Sequence, residues 1–184
     1  DGLSNGILSP DNAASLPHGF IGLFEDEFPS SMSSSERSLL LKRFGLWALF
    51  KGPVSIELVS KILNEKLDDT KAIISNHSKW FNTPESGKYI LYHDRLRTYL
   101  LQKLSDHEVK ELNETLISFL QKALENNSSS EAEGYALEYL STHMAVESQL
   151  GNHYERLHDF VNGEGLWSKQ IRVSREYKWS QRGV

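Results

Sequence analysis

The sequence predicts a mainly α-helical protein in which three helices, a β-hairpin and a fourth helix precede a longer helical arm. Three observations carry that reading. Serine and glutamate at capping-box spacing stand before long apolar-periodic runs. An aromatic and aliphatic stretch, Tyr89-Ile90-Leu91-Tyr92, follows a turn signal at Pro84-Glu85-Ser86-Gly87. Beyond Leu104 the pattern changes to helical pairs alone.

In chain order, residues 1–30 form a lead-in segment rich in Gly, Ser, Asn and Pro up to Gly19, which reads as loop. Phe20-Ile21-Gly22-Leu23-Phe24 and Phe28 are expected to make a short helix docked by its aromatics. The first strong helix starts at the Ser33/Glu36 capping box. Leu39, Leu40, Leu41, Phe44, Leu46, Trp47, Leu49 and Phe50 then cover most of its circumference, which predicts a buried helix. Gly52-Pro53 stops it, because proline cannot continue the hydrogen-bond ladder. A second helix begins near Ser55 with Ile56, Val59, Ile62 and Leu63, and a third runs from about Asp68 with Ala72, Ile73 and Ile74 inside.

Trp80-Phe81 and Tyr89 to Tyr92 are expected to pair as a two-stranded wing. Asp94 is a good N-cap for a helix over 95–103. Helix, helix, helix, hairpin, helix is the winged-helix order, so residues 31–104 are assigned to a winged-helix domain. Residues 105–184 are assigned to an α-helical arm or the start of helical repeats. In it, Ser105/Glu108 and Ser130/Glu133 repeat the capping spacing. Leu112, Leu116, Phe119 and Leu124, then Tyr135, Ala136, Tyr139, Leu140 and Met144, mark apolar faces on either side of a polar break at 126–130. A further helix is expected over 153–161, with Tyr154, Leu157, Phe160 and Val161 inward.

Bulk composition bounds the function. The 184 residues are 39 % hydrophobic and 24 % charged, the balance of a soluble globular protein with a buried core. No apolar run approaches the ~20 residues that span a bilayer, and no signal stretch opens the chain, so no membrane partner is expected. Asp1 in place of methionine predicts a processed chain or a fragment. The absence of cysteine excludes disulfides and thiolate zinc sites and suits a reducing, cytoplasmic compartment. A net charge of −5 argues against a dedicated nucleic-acid binder, whose affinity rests on neutralising phosphates.

Motifs exclude more than they assign. No Gly-x-x-x-x-Gly-Lys-[ST] loop occurs, so the chain has no glycine cradle for a triphosphate and is not expected to be an enzyme by itself. No serine lies in a Gly-x-Ser-x-Gly elbow. His143, His153 and His158 are the histidines to weigh as a metal site, but the last two stand five apart and do not stack on one helix face. The third helix and wing, the usual DNA-reading parts of a winged helix, carry acids and lysines in balance. Nucleic acid is therefore not the expected partner, and the chain has no expected metal or catalytic residue.

The remaining candidates are His93 and Asp94, where the hairpin runs into the fourth helix. The bland reading is a histidine that orients Asp94 or packs against the preceding strand. The functional reading is an imidazole that donates a hydrogen bond to a phosphate oxygen, linking a bound diphosphate to domain position.

Several segments together resemble NACHT-type STAND signalling NTPases. Leu16-Pro17-His18-Gly19-Phe20-Ile21-Gly22-Leu23-Phe24 is similar to the stretch leading into their winged-helix domain. Leu46-Trp47-Ala48-Leu49-Phe50-Lys51-Gly52-Pro53-Val54-Ser55 resembles the next helix and its turn. Tyr92-His93-Asp94-Arg95-Leu96-Arg97-Thr98-Tyr99-Leu100 resembles the family's Phe-His-Asp-Ser-Leu-Arg-Glu-Tyr-Leu element, with Tyr92 where the plant-type motif has methionine. Tyr135 to Met144 looks like the tyrosine-rich arm helix. The resemblance implies a regulatory switch and interaction module that closes over ADP, opens on exchange for ATP, and permits self-assembly. His93 would sense the nucleotide and Asp94 would be its structural partner. ADP or ATP would belong to the parent protein rather than to this chain, and the partners would be the parent's NTPase core and sensor repeats. The P-loop, acidic strand and helical lid would precede Asp1. The alternatives are a DNA-binding winged-helix regulator and a helical scaffold without ligand.

Overall fold

The structure, a computed structural model, describes residues 22, 28, 32–125, 130–151, 158–160 and 162. It is mainly helical, a winged helix with a two-stranded wing followed by a helical arm. Helix α1 covers Ser34–Leu49 and begins at the expected box: Glu36 N–H donates to Ser33 Oγ (3.3 Å), and Glu36 Oε2 accepts from Ser33 N–H (3.1 Å). Two orphan amides are thereby satisfied.

The two halves of α1 differ. From Phe44 to Leu49 every residue is buried, whereas Leu39 is 50 % exposed. The all-round apolar pattern therefore overstated burial of the first turns, where Leu40 and Leu41 are only partly buried against the core and Leu39 faces outward. Mid-helix Gly45 permits a close approach: a Cβ there would stand 2.4 Å from Leu104 Cδ1 and 3.0 Å from Leu112 Cδ1.

Strand β1 (Val54–Ser55) leads into α2 (Ile56–Leu63), capped by Ser55 Oγ, which accepts from Leu58 N–H (3.1 Å). Asn64 ends α2 in the left-handed region, a conformation that asparagine tolerates better than most residues. Helix α3 covers Leu67–Asn76. Trp80 closes a single 3₁₀ turn (Ser78–Trp80) rather than opening the hairpin, and strand β2 starts one residue later, at Phe81–Glu85. Strand β3 is Lys88–Leu91. The sheet order is β1-β3-β2, all antiparallel, with Val54 opposite Tyr89 and Phe81 opposite Leu91. The third strand, β1, has two residues and left no periodic signal in the sequence.

Helix α4 covers Asp94–Gln102, α5 covers Asp106–Glu125 and α6 covers Glu131–Gly151. Both arm helices start as expected: Glu108 N–H donates to Ser105 Oγ (3.3 Å) and Glu133 N–H to Ser130 Oγ (3.3 Å). α5 and α6 pack against each other with Leu112, Leu116, Ile117, Leu120 and Leu124 facing Tyr135, Ala136, Leu140 and Met144 at the core. That core is continuous with the one beneath the wing. There, Phe44 sits 4.7 Å from Trp80 and Phe28 sits 6.0 Å from Phe44, ring centre to ring centre. Phe28 thus docks as its aromatic character predicts, and Arg37 Nη2 donates to its carbonyl (2.6 Å). The remainder of the aromatic lead-in, the polar break at 126–129, most of the helix expected over 153–161 and residues 163–184 lie outside the described residues; Phe160 packs at the margin of the core.

Candidate functional site

His93 and Asp94 lie where β3 passes into α4. Tyr92 N–H donates to Trp80 O (3.0 Å), which pins the end of the hairpin to the last, buried residue of the 3₁₀ turn. His93 is extended (φ −144°, ψ 132°) and is itself the N-cap of α4: its Nδ1 accepts the Arg95 N–H at 3.0 Å. The expected cap, Asp94, is instead the first helical residue. The imidazole takes the amide because the extended backbone at His93 turns Nδ1 toward the first turn. A ring that accepts at Nδ1 carries its neutral-form proton on Nε2. The corner side chains of Tyr92, His93 and Asp94 are exposed.

Asp94 is 95 % exposed at its side chain, and its Oδ1 stands 3.6 Å from Arg97 Nη1. Arg97 is only 15 % exposed. Its Nη2 donates to Phe50 O, at the end of α1, while its Nε meets no acceptor among the described residues. Burial lowers the pKa of Arg97, and the Asp94 carboxylate opposes that shift. Burial also lowers the pKa of Lys51, which feels the positive charge of Arg97 as well. Both cations thus feel the Asp94 carboxylate, which belongs to the residue after His93.

A second polar cluster adjoins the first. The Lys51 N–H donates to Tyr135 Oη (2.9 Å), and Tyr135 Oη lies 3.0 Å from His143 Nε2. When His143 is neutral and protonated on Nδ1, the phenol that accepts the Lys51 amide donates its own proton to Nε2. His143 is 1 % exposed. Burial, reinforced by the Lys51 charge, pushes its pKa down to about 4, and burial pushes that of Tyr135 up. Asn113 Nδ2 donates to His143 O (3.2 Å), and Glu131 accepts from Ser55 through both N–H (2.7 Å) and Oγ. Lys51, Arg97, Glu131 and the Tyr135–His143 pair were not anticipated as a group. The available signal was the Tyr135, Tyr139, His143 spacing, which puts three polar-tipped rings on one helix face.

The other candidates stay apart. His143 is a core residue, and exposed His158 has the Asp159 carboxylate beside it (3.5 Å). His153 lies outside the described residues. Among the described residues no three histidines, aspartates or glutamates converge as a metal site, and no helix is long and apolar enough to cross a membrane. On α3, Asp68 and Asp69 are exposed and Lys71 stands 4.0 Å from Asp68, while in the wing Lys88 pairs with Glu85 at 2.8 Å. Wing and third helix thus each carry one lysine–carboxylate pair.

No protein-family model, curated protein or solved structure matches the chain.

Proposed function

We propose that this chain is the regulatory conformational-switch and interaction module of a STAND-like signalling ATPase, in which the winged helix closes over ADP held by the parent protein's NTPase core. His93 senses the nucleotide phosphate through Nε2–H, and Asp94 sets the position of Arg97. The chain is not itself the hydrolase; catalysis belongs to the core. The partners are that core and the sensor repeats of the same parent, with self-assembly following exchange for ATP in the cytoplasm.

The observation that carries this reading is the exposed His93 corner. Its imidazole is oriented by the Arg95 amide, and the next residue, Asp94, faces the Arg97 guanidinium at 3.6 Å. An oxyanion fits such a place: it gains a charge-assisted hydrogen bond from the imidazole and competes with Asp94 for Arg97.

The test uses the full-length parent. ADP at a hundredfold excess over its Kd stabilises a protein by about 2.7 kcal/mol, which appears as a raised melting temperature. His93→Ala is expected to remove most of that gain, while the nucleotide-free protein loses only the α4 cap, about 1 kcal/mol, so the ADP-dependent shift of each protein is compared with its own nucleotide-free melt. Equal ADP retention by wild type and variant refutes the sensor role.

A further inference from the structure

One peptide group joins the two polar clusters. The Phe50 carbonyl accepts from Arg97 Nη2, and the N–H of the same peptide unit, that of Lys51, donates to Tyr135 Oη. A trans peptide is planar, with its C=O and N–H pointing in opposite directions, so the two partners grip a rigid plate from opposite edges. No cis peptide bond occurs among the described residues. A guanidinium on the oxygen also draws electron density from the nitrogen and makes the N–H a better donor, the polarisation that links successive hydrogen bonds.

Around this plate the chain is seated on α6. The Phe50 ring meets Tyr135 edge-on (5.3 Å, 88°). Gly52 lies so close to Tyr139 that a Cβ there would be 2.8 Å from the ring. Ser55 is held by Glu131. Residues 50–55 therefore form the polar seat of the arm helix, and Arg97 reaches that seat from the Asp94 corner.

We propose that the Phe50–Lys51 peptide couples the His93–Asp94 corner to the docking of α6. Drawing Arg97 toward a new anion loosens the arm helix, and undocking α6 frees Arg97. The coupling is reciprocal, as any linkage between two sites must be. It does not rest on the nucleotide reading; an oxyanion bound beside His93 would act through it.

The test is a double-mutant cycle on this chain without nucleotide, read as backbone amide exchange at Lys51 and at Leu137, Leu140 and Met144 of α6. Arg97→Lys removes the guanidinium fork and keeps the charge; Tyr135→Phe removes the phenol oxygen and keeps the ring. Each is expected to speed α6 exchange about tenfold, and the pair together also about tenfold, because either loss already disables the plate. A double variant faster by about a hundredfold, the product of independent effects, overturns the proposal, as does a pair of silent single variants. Should either variant unfold, Asp94→Ala replaces it, since that side chain lies outside the core. Its effect on α6 exchange is expected to exceed about threefold although Asp94 has no bond to α6. Unchanged exchange overturns the coupling.

Discussion

Acidification probes the buried end of the seat. His143 is neutral in the fold, with a pKa pushed from about 6.5 in the unfolded chain to about 4. A depressed histidine pKa means that the unfolded state binds the proton first. The stability due to keeping His143 neutral is therefore complete above the unfolded pKa and falls as pH drops from about 6.5 toward 4. Each unit is worth about 1.4 kcal/mol, so the whole window removes about 3 kcal/mol. That is a large share of the 5–15 kcal/mol roughly typical of a domain. The physical origin is the absence of water around a ring 1 % exposed, with the Lys51 charge adding to it.

The assay is urea unfolding of wild type and His143→Leu at half-unit steps from pH 7.5 to 4. At pH 7.5 the variant should be weaker by about 1–3 kcal/mol, having left the Tyr135 hydroxyl without its acceptor. Carboxylates titrate alike in both proteins, so the difference between the curves isolates His143. The variant's deficit should close as pH falls and reverse near pH 4. Parallel curves would refute the argument, because they would mean that His143 takes its proton equally easily folded and unfolded.

Two further outcomes follow from packing. Trp47 is 1 % exposed, 5.0 Å from the Phe81 ring and 6.0 Å from that of Phe50. Trp47→Ala should cost about 3–5 kcal/mol, and a urea midpoint near wild type would remove α1 from the core. Gly52→Ala should cost about 1–3 kcal/mol through the clash with Tyr139, and the loss should be largely recovered in Gly52→Ala/Tyr139→Leu. A thermal melt of the double variant no better than the single would show that the clash is not with Tyr139.

Much of this protein is determined by local sequence. Helix starts at Ser33, Ser105 and Ser130 are legible because a cap and its partner lie three residues apart, within one helical turn. The hairpin is legible for a similar reason, since its turn residues are adjacent in the chain. His93 and Asp94 could be found from the strand-to-helix junction, although the exchange of capping roles between them could not. That choice depended on backbone torsions one residue wide. The exposure of Leu39 was illegible because apolar periodicity says which face is oily and not whether a neighbour covers it.

Only the tertiary structure decided the rest. β1 is too short to carry a period, and exists because β3 offers it a free edge. Lys51 and Tyr135 are 84 residues apart, Phe50 and Arg97 are 47 apart, and Ser55 and Glu131 are 76 apart. No local rule relates residues at such separations. These bonds form because burying α1, α4 and α6 against one core brings backbone amides and polar side chains out of water together. Once buried, they must find one another.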